Sequence, residues 1–263
     1  MKDFAIFVSS SDNYSDIWDL FFDMFHQYWP EYKGKIYLQT QEKEYKHPNL
    51  NIICTHVGKL KYFGQTLRAG LDKIPEENIL FIMIDYIFMG KVNHAKVMEY
   101  YQYFVQEKCD SLCLIFQNPP HPLKTDIESI ILVLPPDRIF NYQIAFWKKS
   151  SLIEMALPHE SPWTSEWYGS IRAYQLNYKI AEVANAKYNV FIYNPAGCLH
   201  QGKWLPDAIE FLKSINYKPI DYAQRGFYNN EYKTLKTRIK MKYNLIKHGL
   251  MGSYWYNLIR KDE

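Results

Sequence analysis

Two patterns of apolar residues alternate along the chain. One is the short continuous run, the mark of a strand buried on both faces: residues 4–10 (FAIFVSS), 35–40 (KIYLQT), 51–56 (NIICTH), 78–88 (NILFIMIDYIF), 111–117, 127–134, 142–148 and 189–194 (NVFIYN) read this way. The other is an apolar stripe at three- and four-residue steps, which marks one face of a helix. Trp18, Phe21, Phe22, Phe25 and Trp29 form such a stripe, and Pro30 ends it. Further stripes predict helices over 62–73, 93–108, from 150 onward, over 164–184 and over 207–215. Segment 118–122 is Pro-rich and interrupts regular structure, and 135–137 reads as a turn between strands. Strands alternating with helices predict an α/β fold, a sheet flanked by helices; no internal repeat is visible.

The run 78–88 contains one carboxylate, Asp85, which falls where the strand runs out. Open α/β sheets bind ligands in the crevice outside the carboxyl ends of their strands, where loops stand on a rigid frame. Asp85 is therefore either a ligand-facing acid or a cap for the turn into the next helix. The loop after the first strand, Ser9-Ser10-Ser11-Asp12-Asn13, consists of N-cap residues that either meet a nucleotide or cap the following helix. Gln65 and Arg68 fall on the more polar side of the helix over 62–73, near the same sheet edge or simply in solvent. Glu166 is expected on the first turn of the helix that follows Pro162, where the helix dipole favours a carboxylate. A glycine-containing loop over 195–204 brings His200 and Lys203 close together in sequence.

Composition narrows the class. Of 263 residues 48% are hydrophobic, enough for the large core of one α/β domain with appendages. Aromatics reach 17%, with 23 Tyr and 7 Trp; this suits grooves for flat or hydroxyl-rich ligands and equally suits half-buried surfaces. A net charge of +3 does not mark a nucleic-acid binder, and it is unevenly spread. Residues 231–263 hold eight Lys or Arg against three acids, which leaves −2 for the rest of the chain. In that tail Tyr232, Leu235, Ile239, Tyr243 and Ile246 recur at helical steps among lysines. A basic amphipathic stretch over 232–256 suits an anionic membrane surface, or packing on the domain or on a second subunit. The chain divides accordingly into a domain over 1–228 and a basic helical extension over 229–263. Cys54, Cys109, Cys113 and Cys198 lack metal-site pairing and are expected as free buried thiols. With no signal peptide and no apolar span of membrane length, a cytoplasmic protein is expected, peripheral on the inner face of a membrane if the tail binds lipid.

Three stretches together resemble a GT-A fold glycosyltransferase of the bacterial or viral surface-polysaccharide type, lipopolysaccharide or capsule: the strand-end acid of IDYIF, the segment SPWTSEWYGSIRA and the loop GCLHQGKW. The resemblance spans roughly residues 4–216 in order of elements. It implies a GT-A-like, Rossmann-type mixed sheet, a nucleotide-sugar donor and a glycan or lipid-linked acceptor. Asp85 matches the second acid of a strand-end pair that meets the donor diphosphate, usually through Mn²⁺ or Mg²⁺. Glu166 matches the general base. His200 matches a metal or phosphate ligand, and Lys203 is placed to neutralise a phosphate. Ser9, Asp12, Gln65 and Arg68 join them as candidates for donor binding. Trp163, Trp167 and Tyr168 are candidates for an acceptor platform that stacks on sugar faces, with core packing as the alternative.

The chain departs from the family pattern at two positions. Ile84 stands where the first acid of the pair is expected, and Ile87 where a DxD motif carries its second Asp. Hard divalent cations want several oxygen ligands, so the acidic set for a metal is incomplete. The chemistry implied is inverting sugar transfer, which needs one carboxylate to take the acceptor proton and positive charge to receive the departing diphosphate. A catalytically inactive GT-A-like binding module is the alternative raised by Ile84 and Ile87. A membrane or nucleic-acid adaptor is the one raised by the tail alone.

Overall fold

The computed structural model describes residues 4–134 and 140–229, together with Tyr243. The turn expected at 135–137 and nearly all of the basic extension lie outside the described residues. In chain order the strands of the main sheet are β1 (Ala5–Ser9), β2 (Lys35–Leu38), β3 (Asn51–Cys54), β4 (Asn78–Met83), β5 (Ser111–Cys113), β6 (Pro122–Lys124), β7 (Ile130–Val133), β8 (Ala145–Lys148) and β9 (Ile180–Val183). The helices are α1 (Trp18–Tyr28), α2 (Phe63–Leu71), α3 (His94–Gln106), α4 (Lys149–Met155), α5 (Pro162–Gln175) and α6 (Pro206–Ser214), and a small hairpin of β10 (Leu199–His200) and β11 (Lys203–Trp204) precedes α6.

The nine strands form one mixed sheet in the order β3-β2-β1-β4-β8-β5-β9-β7-β6, flanked by helices, as the sequence leads one to expect. The first four are parallel, with α1 and α2 serving as crossovers. Every residue of β1 is buried, which is why its run is apolar without alternation. The stripe on α1 goes into the core: Trp18, Phe21, Phe22, Phe25 and Trp29 are each at most 2% exposed, a burial worth roughly 1.5–3 kcal/mol for each large side chain. β8 then inserts antiparallel between β4 and β5, and joins the parallel half to the remainder.

The structure corrects several expectations. The helix expected over 164–184 ends at Gln175. Asn177 turns the chain with a left-handed backbone, φ 55°, which Asn tolerates better than most residues. Ile180–Val183 is then a strand buried at all four positions, between β5 and β7. The run 189–194 is not a strand: Val190, Phe191 and Tyr193 are buried from an irregular segment, with Phe191 against Trp29 and Phe88. Pro122–Lys124, inside the Pro-rich stretch, is a short exposed edge strand, a place where a missing N–H is harmless. Cys54 is half-buried, whereas Cys109, Cys113 and Cys198 are buried free thiols as expected. Among the described residues no helix is long and apolar enough to cross a membrane.

Candidate active site

Because β1, β2 and β4 are parallel, their carboxyl ends lie side by side, and the residues just beyond them line a cleft of ≈ 270 Å³. Ser9 ends β1 and Ser10 and Ser11 follow it, Gln39 and Gln41 follow β2, and Ile84 and Asp85 follow β4. Tyr14, Leu60, Lys61, Tyr62, Phe63 and Pro162 form its walls. The Ile84 N–H donates to Ser9 O at 3.0 Å, which extends the β1–β4 pairing past the strand and sets Asp85 beside the serine loop.

Asp85 is not the cap of α3; Asn93 fills that role, accepting from the Lys96 N–H at 3.1 Å. Its Oδ1 is buried and has no hydrogen-bond partner among the described residues. The same holds for Oε1 of Gln39, whose Nε2 donates to Ser10 O at 2.7 Å. Buried polar atoms are nearly always paired, so two orphaned acceptors on residues that line one cleft set this place apart from the rest of the core. Burial pushes the Asp85 carboxyl up to about 7, against the pull of its own backbone N–H. The phenol of Tyr14 is likewise raised, by burial and then by the Asp85 charge. A turn from 194 to 198 wraps the acid: the Gly197 N–H donates to Asn194 O at 2.8 Å and the Cys198 N–H to Asp85 O at 2.7 Å.

Glu166 lies one helical turn beyond Pro162. The helix starts at Pro162 under a Ser161 cap, with its side chain accepting from the Thr164 N–H, so Glu166 sits in the second turn and not the first. Its Oε1 accepts the Tyr142 N–H at 3.0 Å. The phenol of Tyr86 is raised by burial and then by the charges of both Asp85 and Glu166, which places the two acids within electrostatic reach of one ring. Trp163 and Trp167 are 61% and 56% exposed, so neither is core; Tyr168 is partly buried. The start of α5 is held from two sides. Arg172 donates to both carboxylate oxygens of buried Glu160, at 2.8 and 2.7 Å, and to Met155 O at 2.7 Å. The Gly64 N–H of α2 donates to Glu160 O at 3.2 Å, and a Cβ on Gly64 would lie 1.9 Å from Leu157 O. The cleft walls Tyr62 and Pro162 are thereby fixed relative to one another.

Of the residues expected in donor binding, Ser9 and Asp85 line the cleft and the others do not. Asp12 accepts the backbone N–H groups of Gln41, Glu42 and Lys43 at 2.8, 2.9 and 3.0 Å; burial works to raise its carboxyl, but these donors outweigh it and hold it low. Gln65 accepts the Tyr62 N–H at 3.3 Å and closes a capping box on α2. Arg68 donates to Ile153 O at 2.6 Å and binds α2 to α4. His200 and Lys203 face each other across the β10–β11 hairpin, with the His200 ring 4.4 Å from that of Tyr228. Among the described residues no third His, Cys, Asp or Glu completes a metal site around the expected Asp85–His200 pair. Sequence reasoning missed Gln39, Lys61, Tyr62 and Tyr14, although the strand-end rule that selects Asp85 also points to the residues after β2 and β3. It missed Arg225 too, which donates to Asp16 at 2.6 Å and to Asn13 O at 2.7 Å while stacking on Tyr14, 5.0 Å from its ring centre.

No protein-family model and no curated protein matches the chain. Among solved structures it is similar to residues 1–349 of TarS from S. aureus, with 12% identity and a TM-score of 0.46 over 85% of this chain and 68% of that one. It is also similar to 2-C-methyl-D-erythritol 4-phosphate cytidylyltransferase from Thermus thermophilus, with 9% identity and a TM-score of 0.43 over 74% and 94%. A third similar structure is a UDP-glucose pyrophosphorylase complexed with UDP-glucose, with 8% identity and a TM-score of 0.41 over 74% and 92%.

Proposed function

We propose that the chain is an inverting glycosyltransferase that moves a sugar from a nucleotide-sugar donor to a hydroxyl of a glycan or lipid-linked acceptor. The observation that carries this reading is the pair of orphaned acceptors, Asp85 Oδ1 and Gln39 Oε1, in one cleft at the carboxyl ends of parallel strands. An unpaired acceptor is satisfied by a hydroxyl or an amide N–H, and the ribose and base of a nucleotide carry both. Tyr14, Tyr62 and Phe63 offer flat faces to a base or sugar ring. Lys61, on the wall of the cleft, supplies charge to the diphosphate, whereas His200 and Lys203 do not line the cleft and take no part in donor binding in this reading.

Asp85 would hold Mn²⁺ or Mg²⁺ when one is bound, with donor phosphates and water as the other ligands, and the ion would add Lewis-acid stabilisation of the leaving diphosphate. Glu166, oriented by the Tyr142 N–H, takes the acceptor hydroxyl's proton as that oxygen attacks the anomeric carbon. The bond from that carbon to the diphosphate oxygen breaks, and its electron pair leaves with the nucleoside diphosphate. Trp163, Trp167 and Tyr168 form the acceptor platform, and the basic stretch 232–256 brings the enzyme to an anionic membrane surface.

A second reading, an inactive module that binds a sugar nucleotide, is favoured by one observation. Ile84 and Ile87, where the related pattern carries acids, are each 2% exposed and belong to the core. Melting curves with a panel of nucleoside diphosphates and their sugars, with and without Mn²⁺, test both, since a ligand of the folded state raises Tm. The enzyme reading expects one nucleotide class to stabilise the chain and Glu166→Gln to lower transfer roughly 10²–10⁴-fold with binding kept. Stabilisation without transfer or hydrolysis would establish the inactive module, and no stabilisation by any nucleotide would reject both.

A further inference from the structure

Away from the cleft, three side chains of different chemistry converge where β3 ends at the edge of the parallel half of the sheet. Cys54 is the last residue of β3, His56 lies just beyond it, and Glu44 comes from the loop that joins β2 to β3. One ligand atom from each, a thiol sulfur, an imidazole nitrogen and a carboxylate oxygen, lie within 4.8 Å of one another. Nε2 of His56 is 2.8 Å from Oε2 of Glu44. His56 has a left-handed backbone, φ 47°, uncommon for a residue with a side chain. It is held there by its own N–H, which donates to Thr40 Oγ1 at 3.2 Å, and by the Val57 N–H, which donates to Thr40 O at 3.0 Å.

We propose that Glu44, Cys54 and His56 form a site for a zinc-class divalent cation, with water as the fourth ligand. Thiolate, imidazole and carboxylate are the donors Zn²⁺ takes in tetrahedral sites, whereas Mg²⁺ and Ca²⁺ prefer oxygen alone. Zinc bond lengths in a tetrahedron put neighbouring donors about 3.3–3.6 Å apart. That lies between the 2.8 Å His–Glu contact and the 4.8 Å limit of the cluster, so rotation of exposed side chains brings all three onto one ion. Glu44 and His56 are exposed and give the ion a route in, while half-buried Cys54 forms the floor. The Tyr45 N–H donates to the Cys54 sulfur at 3.2 Å, an outer-shell contact of the kind that steadies a ligating thiolate.

Without an ion the thiol's surroundings favour its protonated form. Burial holds the Cys54 thiol above its ordinary range; the Glu44 and Asp12 charges add to this and the Tyr45 N–H opposes it. A divalent cation reverses that field, so the thiol gives its proton to solvent and the sulfur binds as thiolate. A loaded site clips the β2–β3 loop, which supplies Gln41 to the cleft, onto the end of β3.

The test uses the full chain freed of metal by a chelator, titrated with Zn²⁺ by calorimetry and with Co²⁺ by absorption spectroscopy. One equivalent of Co²⁺ should give a thiolate-to-cobalt charge-transfer band together with tetrahedral ligand-field bands, competed by Zn²⁺ and not by excess Mg²⁺. Asp85→Asn should keep these bands. Cys54→Ser should abolish the charge-transfer band. His56→Asn, which keeps a residue type that tolerates the left-handed backbone and removes the imidazole, should weaken binding at least ~100-fold, the upper end of what losing even an outer-shell partner costs. Absence of the band from the unmodified chain, or its persistence in Cys54→Ser, would overturn the proposal, as would unchanged affinity in His56→Asn.

Discussion

The α-carbon of Gly197 rests against the carboxylate of Asp85: a Cβ at that position would stand 2.6 Å from Oδ2. The backbone there has φ +84°, a conformation that residues with side chains rarely adopt. Gly197→Ala therefore meets a collision and a strained backbone together. The backbone alone is worth of order 1–3 kcal/mol, and relief of the clash must displace Asp85. Melting and nucleotide titration of the variant should show a lower Tm and at least tenfold weaker binding; a variant indistinguishable from the parent would mean that the 194–198 turn does not position the acid.

Asp85 gives stability a dependence on pH. In the folded chain it keeps its proton up to about 7, whereas the ordinary value is 3.8. Between those limits the folded state binds more protons than the unfolded one, so this contribution falls as pH rises from about 4 to about 7 and is constant above. The span corresponds to a ceiling of about 4 kcal/mol, and the partial exposure of the residue reduces it. Urea midpoints at pH 5 and pH 8 should drop for the parent relative to Asp85→Asn; parallel profiles for the two proteins would refute the assignment.

Breaking the buried Glu160–Arg172 pair should be the most damaging change on α5. Either Glu160→Gln or Arg172→Met leaves one charge without its counter-charge in the interior, at about 3–5 kcal/mol, while the double substitution removes both charges and recovers much of that loss. Denaturant unfolding of the two single variants and the double variant measures the coupling. Additive losses would show that the pair is not a unit.

Trp163 and Trp167 separate stability from function. Both are more than half exposed, so Ala at either position should change stability by no more than about 0.5 kcal/mol. If they form the acceptor platform, loss of stacking worth about 0.5–1.5 kcal/mol raises the acceptor KM by roughly twofold to tenfold with donor binding unchanged. Steady-state kinetics with the acceptor varied would expose the opposite result, a donor effect or none.

The parallel half of the fold is legible in the sequence because β1 and β4, buried along nearly their whole length, leave continuous apolar runs between turn signals. Residues 180–183 have the same character, but they are short and continue the apolar positions of α5. Only the left-handed turn at Asn177 separates them, and periodicity does not register it. Residues 189–194 mislead for the converse reason. Val190, Phe191 and Tyr193 are buried as in a strand, yet the segment makes no ladder among the described residues, and Ile192 O instead accepts the Met89 N–H at 2.7 Å. In the site, Ser9 and Asp85 follow from their places at strand ends. Lys61 and Gln39 were open to the same argument. The parts played by Gly197 and Arg225 depend on chain segments meeting in space, which no local pattern encodes.

The position of β8 has a consequence for the growing chain. β1 to β4 leave the ribosome first and can pair through their crossovers, but the outer side of β4 is covered only when β8 arrives. Until then β4 presents an apolar strand edge with unpaired N–H and C=O groups, a template for another chain to add to. A fragment cut between β4 and β8 is therefore expected to aggregate as ordered β-structure, whereas extending it through β8 and β9 should suppress that aggregation, a contrast that light scattering and thioflavin fluorescence of the two fragments would reveal.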